Sequence, residues 1–548
     1  MKLSCITSIV ALLGLGSLAT ADIFRVDPEG QGDYLTINEA VDDVPDGSTI
    51  VIASGLYREA IYFNNRDLTL QGEGEVSITG CSQNDPRCEA TRSQILYIAW
   101  GSNIHLNNIT VTGELRDHMK GIWIEESGEV TITDCRIYRN DFYGIMITGR
   151  CGPVEIVNTV ISENQGAGLT IGDTTVGTTT VSGCSIYQNS HMQLLERSHQ
   201  RFSSGIRAYG NSDTEPGATL HVNDTVIRDN AAGYLGAGMF IGAGMDLVTI
   251  NQCQFINNQG IGAGGAGAAL SITSEADYRG RWSENPVSVR VKVDNTEFSG
   301  NYSSYGGAVF IGYFGPSGLV DNTVKFTACA FENNVAYAYG GAVVMMGLAE
   351  SNISFIDCAF KRNTGRIGGA FFIQNSGSNL NVLIDKSELR SNLVTLSNPR
   401  EGASIRNMDP FQVHVRNTTI CDGYAPIVGG WNDDNNVYEE GCTFQSCCFR
   451  GQCVDKSEME CLESGGTWHV NMSCDEVVCD PIEGACCLGS WCATMTESEC
   501  DQHNGVYQGN GSKCEPGYTC EPRNPADFDL NGKVNVDDLM KFFDYWGK

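Results

Sequence analysis

Apolar and polar residues alternate along most of this chain in runs of four to six, too short for helices and spaced for strands. The segment "VTITDCRIYRN" (Val130 to Asn140) is followed by eight of the same design: "VEIVNTVISEN", "TTVSGCSIYQN", "LHVNDTVIRDN", "VTINQCQFINN", "VKVDNTEFSGN", "VKFTACAFENN", "ISFIDCAFKRN" and "VLIDKSELRSN". A small residue recurs at Cys135, Thr159, Cys184, Thr225, Cys253, Thr296, Cys329, Cys358 and Ser387. Five residues after each comes an asparagine: Asn140, Asn164, Asn189, Asn230, Asn258, Asn301, Asn334, Asn363 and Asn392. The asparagines are 24, 25, 41, 28, 43, 33, 29 and 29 residues apart, a period that marks a solenoid. A second strand-like element follows each one, among them "YGIMITG", "AGLTIG", "GGAVFIG" and "GGAFFI".

Two or three short strands per coil, without helices, specify a parallel β-helix whose coils pair at about 4.8 Å. Asparagine in the same corner of every coil is expected to donate its side-chain amide to the next coil's backbone and to take the left-handed conformation of a tight corner. The small position is expected to point inward, which makes the cysteines on these rungs buried thiols rather than disulfides. Near the start, Thr36 and Glu39 have capping-box spacing, and Ile37, Ala40, Val41 and Val44 form one apolar helix face. A short helix there would close the open end of the coil. Strands are expected at "STIVIAS" and "DLTLQG".

Residues 22 to about 430 resemble the pectate-lyase-like right-handed parallel β-helix proteins. Gly32-Asp33-Tyr34, Thr36-Ile37 and Ala40, then Gly55-Leu56-Tyr57-Arg58-Glu59, resemble the opening of pectinesterases. The resemblance implies an enzyme or binding protein for acidic or plant-type polysaccharides. A lyase of this kind would need a base beside a charge neutraliser, which can be a bound Ca2+; a hydrolase would need two carboxylates at a set separation. No Gln-Asp-Thr or Gly-Arg-Pro-Trp segment follows, so the esterase site is missing.

The chain ends differently. Thirteen of the 23 cysteines fall between Cys442 and Cys520, twelve of them in two copies of a CC-C-C-C-C pattern. Each copy implies three disulfides, in any of 15 connectivities. Zinc is the rival reading, disfavoured by adjacent CC pairs where zinc sites use CxxC. Cys81 with Cys88 is a further disulfide candidate, Cys421 with Cys442 would fasten the last coil, and Cys151 is left over. In "ADFDLNGKVNVDDLMKFFDYWGK", Asp527, Asp529, Asn531, Lys533 (through its carbonyl), Asn535 and Asp538 stand at calcium-loop spacing, with Gly532 at the sharp turn. Leu539, Phe542, Phe543 and Trp546 continue it as an amphipathic helix. The segment resembles one half of a type I dockerin, which implies a cohesin-like or cell-surface anchor as partner. Dockerins normally carry two halves.

Composition narrows the function. With 66 acidic and 35 basic residues the formal charge is −31, which excludes a nucleic-acid partner. Lys2, the apolar "IVALLGLGSL" and Ala19-Thr20-Ala21 read as an export signal, and no later segment is apolar enough to span a bilayer. The expected organisation is a signal peptide (1–21), a β-helix (22–440), two six-cysteine repeats (441–521) and a calcium loop with helix (522–548), secreted or displayed at a bacterial cell surface.

Candidate chemistry lies where loops leave the solenoid. The 41-residue period holds "SHMQLLERSHQRFSSG", with His199 and Arg201, and the 43-residue period holds "SEADYRGRWSENP", with Arg279, Arg281 and Trp282. Two earlier corners carry His118 with Lys120, and Tyr143. Lys120, Tyr143, His199 and Arg201 are the candidate catalytic set. His118, Arg279, Arg281 and Trp282 are the candidate substrate contacts. The leading expectation is lyase-type cleavage or binding of an acidic polysaccharide; the alternative is a non-catalytic structural or adhesive β-helix.

Overall fold

The computed structural model describes residues 22–80, 94–113, 120–172, 174–189, 204–210, 217–261, 264–273, 289–312, 322–348, 351–374, 380–395, 404–408, 412–422 and 427–438 of one compact unit, which ends at Glu440. In the unit that begins at Gly441 it describes 445–449, 452–456, 461–462, 464–469, 474, 477, 479, 483–488, 491–503, 505–510 and 512–514.

The first unit is a parallel β-helix. Each coil contributes one strand to each of three long parallel sheets, visited in the order first, second, third. As described, these sheets have 15, 14 and 13 strands. The first runs from Ile23–Val26 through Ser48–Ile52 and Asp67–Gly72 to Asn432–Asp434. The second starts at Gly55–Tyr57 and the third at Ile61–Asn64. From Ala231–Ala232 onward a fourth, six-stranded sheet is inserted between the second and the third.

Strand alternation places one apolar column of each sheet inside the coil. In the second sheet that column reads Ile137, Ile161, Ile186, Ile227, Phe255, Phe298, Phe331, Phe360 and Leu389, all inaccessible to solvent. Phe255, Phe298, Phe331 and Phe360 stack face to face, with ring centroids 5.1, 4.7 and 4.6 Å apart. In-register identical coils put like side chains at strand spacing, and an offset ring stack is what that spacing favours.

The helix expected at the N-terminus spans Ile37–Asp43 and buries Ile37, Ala40 and Val41. Thr36 caps it by accepting from the Glu39 N–H. The carboxylate of Glu59 takes the neighbouring donors, accepting from the Ile37 and Asn38 N–H groups at 3.0 and 2.8 Å. An anion at the helix N-terminus satisfies N–H groups that have no partner within the helix.

The asparagines form the expected ladder, with two corrections: the amide reaches the next coil's asparagine side chain rather than its backbone, and the asparagine is not the turn residue. From Asn164 onward each Oδ1 accepts both the backbone N–H and the side-chain amide of the asparagine one coil earlier, as Asn164 does from Asn140 at 3.1 and 2.9 Å. The amide also donates backwards to a backbone carbonyl, as from Asn334 to Phe298 at 2.9 Å. The left-handed corner, however, belongs to the preceding residue: Arg139, Glu163, Gln188, Asp229, Asn257, Gly300, Asn333, Arg362 and Ser391 all have φ between 53° and 65°. The asparagine side chain must point inward to reach its neighbours, so the turn is made one position earlier.

The small position makes a second, weaker ladder. Cys135 N–H donates to Thr159 Oγ1 at 3.2 Å, and Cys184 N–H to Thr225 Oγ1 at 3.3 Å. Cys135, Cys184, Cys253, Cys329 and Cys358 are free, buried thiols, as expected; Cys151 is free and partly exposed. Burial pushes the first three up to about 11.

The second unit contains two small antiparallel sheets of matching design, Gln445–Phe449 with Gln452–Lys456 and Thr467–Trp468, and Gly484–Leu488 with Trp491–Met495 and Val506–Asn510. Disulfides join Cys447–Cys461, Cys448–Cys479 and Cys453–Cys474 in the first copy, and Cys486–Cys500 and Cys492–Cys514 in the second. Numbering each copy's cysteines in order, 1–4 and 3–5 recur in both, and 2–6 closes the first. Cys421 and Cys487 are also disulfide-bonded. Cys81, Cys88 and Cys442 lie outside the described residues.

Candidate functional site

The outer face of the third sheet is built by the residues that alternate with its buried column. In register across successive coils stand Tyr62, Tyr97, Trp123, Met146, Thr170, Arg207, Phe240, Ser271, Phe310, Val344, Phe372 and Arg406. The face changes character along its length.

From Phe240 onward it is roofed. Tyr209, Leu235, Phe240, Ala266, Phe310, Val344 and Phe372 form an apolar cluster separate from the solenoid core, with Tyr234, Tyr305, Tyr339 and Ile367 packed against it. Tyr339 stacks on Phe372 with centroids 4.4 Å apart. Most of the roof comes from the ends of fourth-sheet strands (Tyr305, Tyr339 and Ile367) and from the chain between second-sheet and third-sheet strands (Tyr234, Leu235 and Ala266), with Tyr209 added from the end of the third-sheet strand Ile206–Ala208.

Before that point the face is partly open and aromatic. Tyr62, Tyr97 and Trp123 are each half-buried, with ring centroids 5.7 and 5.5 Å apart and planes tilted by 57° and 65°. Rings tilted this far do not close on one another, so parts of their faces remain available. The Trp123 indole N–H donates to Thr148 Oγ1 at 2.8 Å, and the Tyr97 hydroxyl donates to the Glu125 carboxylate. These bonds fix two of the three rings.

Lys120 opens the strand that carries Trp123 and Glu125, and Tyr143 closes the next corner. The structure brings them together: Lys120 Nζ lies 5.6 Å from the Phe142 ring centroid and 5.9 Å from that of Tyr143. Partial burial lowers the lysine's proton affinity below the ordinary lysine value. Burial, and secondarily the charge of Glu125, raises the Tyr143 hydroxyl, which therefore stays protonated. The corner thus holds an amine that gives up its proton more readily than usual beside a phenol that keeps its own.

Of the other expected site residues, His118, His199, Arg201, Arg279, Arg281 and Trp282 lie outside the described residues, as do all the calcium-loop positions from Asp527 to Asp538. In sequence, His199 and Arg201 precede the third-sheet strand Ile206–Ala208, while Arg279 to Trp282 follow the third-sheet strand Leu270–Thr273. Both insertions therefore join the chain at ends of third-sheet strands. Among the described residues no cluster of three or more metal-ligating side chains occurs.

The aromatic row went unrecognised in the sequence. Its signal is the position between two aliphatic residues in the recurring second element, Met146 between Ile145 and Ile147 in "YGIMITG". Carried upstream, that position reads Trp123 in "KGIWIE" and Tyr97 in "SQILYIA".

The family described as a right-handed β-helix region matches residues 53–215 and, in an overlapping placement, 120–277. Together with the sheet topology this makes the first unit a right-handed parallel β-helix. Among solved structures, the chain is similar to the catalytic unit of a GH87 α-1,3-glucanase from Streptomyces thermodiastaticus (15% identity, 78% of this chain and 69% of that one, TM-score 0.40). It is similar as well to PfbA, a surface adhesin of Streptococcus pneumoniae (12% identity, 66% and 88% covered, TM-score 0.43), and to pectate lyase Pel9A (13% identity, 72% and 84% covered, TM-score 0.34). No curated protein matches the chain.

Proposed function

We propose that the open aromatic face of the third sheet binds a polysaccharide, and that Lys120 cleaves an acidic one by β-elimination. The observation that carries the reading is the half-buried Lys120 amine beside Tyr143, on the strand that also carries Trp123 of the Tyr62–Tyr97–Trp123 row. Aromatic faces suit the apolar faces of sugar rings, and the lowered lysine suits a general base. Neutral Lys120 would take the proton on the carbon next to a uronate carboxyl group. The electron pair left behind forms a carbon–carbon double bond as the neighbouring glycosidic C–O bond breaks, and the departing oxygen receives a proton. Tyr143, which stays protonated, is the donor at hand. His199 and Arg201 belong to this proposal as charge neutralisers for the carboxylate, and His118, Arg279, Arg281 and Trp282 as substrate contacts.

The test is incubation of the mature chain with polygalacturonate, alginate and neutral glucans while following the ultraviolet absorbance of the new double bond. Absorbance with an acidic polymer, lost in Lys120→Ala, supports the reading. Reducing ends without absorbance replace it with hydrolysis, and silence on every polymer by folded protein overturns it.

One observation favours a non-catalytic alternative. From Phe240 to Phe372 the outer face of the third sheet is covered by its apolar roof, so that stretch of the face is rigid scaffold. A surface protein using the coil as a stalk would need no more than this.

We place the chain outside the cytoplasm, a reading supported by the disulfides of its second unit. The segment from Asp527 to Asp538 is proposed to bind Ca2+ and to anchor the protein to a cohesin-like or cell-surface partner. Calcium titration of the wild type against Asp527→Ala with Asp538→Ala checks the metal; equal binding by both removes it.

A further inference from the structure

The fourth sheet presents a surface that the cleavage site does not use. Its outer positions pair in register across coils as Gln259, Tyr302, Val335, Thr364 and Leu393. Tyr302, Val335 and Leu393 are 46%, 36% and 37% exposed, and Tyr337, on the same side of its strand as Val335, is 69% exposed. The buried side chains of the same strands, Ser303 and Ala336, face inward, so the apolar residues outside are not the edge of the core. Tyr302, Val335 and Tyr337 lie on adjoining strands, and Leu393 follows two rungs further on, beyond Thr364, so the exposed apolar side chains are grouped on this sheet rather than scattered.

The strip also carries a cation. Ala336 pairs with Gly365; the register then shifts before Tyr339 pairs with Ile367, and within that irregular stretch Tyr337 and Arg366, on neighbouring strands, are both exposed. The nearby Arg362 and Arg390 are engaged by Glu332 and Glu388. Arg366 is exposed and makes no ion pair among the described residues. In a chain of net charge −31, an available guanidinium beside an exposed tyrosine is a local inversion of the surface charge. Ring plus guanidinium is complementary to a sugar that bears a carboxylate: the ring takes the sugar's apolar face and the guanidinium the carboxylate, with two parallel N–H···O bonds.

We propose that this strip is a second, non-catalytic binding surface for an acidic polysaccharide, lying across the rungs at Tyr302, Val335 and Tyr337 with Arg366 on a carboxylate. The proposal rests on the reading of the protein as one that engages acidic polysaccharide, but on none of the residues of the Lys120 corner. It adds affinity for long polymers without taking part in cleavage, by holding a second stretch of the same chain.

The experiment is co-sedimentation or calorimetric binding of polygalacturonate and alginate, at low and high salt, by wild type, Tyr337→Ala with Arg366→Ala, and Lys120→Ala. Sedimentation velocity and elimination assays on a short uronate oligomer run alongside. All the substituted groups on the strip are exposed, so the variants are expected to fold. The expected result is about tenfold weaker binding of long polymer by the Tyr337/Arg366 variant, the scale of losing an aromatic anchor, with turnover of the short oligomer unchanged. Equal binding by that variant and the wild type overturns the proposal, as does absence of polymer binding by the wild type. A change in oligomeric state with unchanged polymer binding also overturns it, by making the strip a self-association face. Loss of absorbance in Lys120→Ala is read separately, so failure of the strip and failure of the cleavage reading are told apart.

Discussion

Asn392 gives both its backbone N–H and its side-chain amide to a single carboxylate, that of Asp422, at 2.8 and 3.0 Å. Every earlier rung of this ladder ends on an asparagine; the last ends on an acid, which also accepts from the Ser404 hydroxyl. Complete burial pushes Asp422 up to about 6, against about 3.9 for an unfolded aspartate. The folded state therefore holds this proton more tightly, and the contribution to stability is fully present below about pH 4 and lost as pH rises through about 6.

Replacing Asp422 with asparagine should remove that dependence. At pH 7 the variant is expected to be more stable than the wild type by about 3 kcal/mol, and the two should converge below about pH 4. Denaturant titrations across this range check it. A variant less stable at pH 7 would mean that the carboxylate's three accepted bonds outweigh its desolvation.

Asn334 sits mid-ladder, where its Oδ1 accepts the N–H and the amide of Asn301 and its own amide reaches Asn363 and Phe298. Asn334→Leu removes the acceptor of the Asn301 backbone N–H and of one Asn301 amide hydrogen, and the side-chain donor to the Phe298 carbonyl. At about 1–3 kcal/mol for each orphaned group, the loss should reach several kcal/mol. An unchanged melting curve would show that the ladder is not a source of stability.

The parts legible in the sequence were those that every coil repeats. Nine asparagines at one offset from a small residue can only be a ladder once coils stack, and the interior column follows from strand alternation. The turn residue was misplaced because Arg139, Glu163 and Gln188 share no side-chain chemistry; what they share is a left-handed φ. The aromatic row was missed because Tyr62, Tyr97 and Trp123 lie in coils that lack the ladder asparagine. The roof over Phe240, Phe310 and Phe372 was missed because it joins segments from different coils. Disulfide pairing was beyond reach, since six cysteines allow 15 pairings and spacing alone prefers none.

The two units should respond differently to thiol chemistry. The second unit depends on disulfides because sheets of three short strands bury too little to hold without them. The thiols of the first are sealed between coils. A mild reductant should abolish the near-ultraviolet signal of Trp468 and leave the far-ultraviolet strand signal of the coil largely intact. In native protein Cys151 should react quickly with an aromatic disulfide reagent, and Cys135, Cys184, Cys253, Cys329 and Cys358 only after denaturation. Rapid labelling of Cys329 or Cys358, mapped by peptide mass, would mean that the coils open locally at that point.

Lys120 offers the sharpest test of chemistry. Burial lowers its proton affinity, so the neutral amine becomes available below the ordinary lysine value of about 10.4. If it is the base, kcat/KM for the acidic polymer should climb with pH and level off below that value, because only the deprotonated amine can accept the substrate's proton. Lys120→Arg keeps the positive charge over the Phe142 and Tyr143 rings but cannot deprotonate, and should lose at least about a hundredfold in kcat. Tyr143→Phe keeps the ring under the ammonium and removes the hydroxyl, so it should lower kcat while leaving KM nearly unchanged. Arginine at 120 with undiminished turnover would remove the lysine from the chemistry. The corner would then be a charge beside an aromatic face, a binding element only.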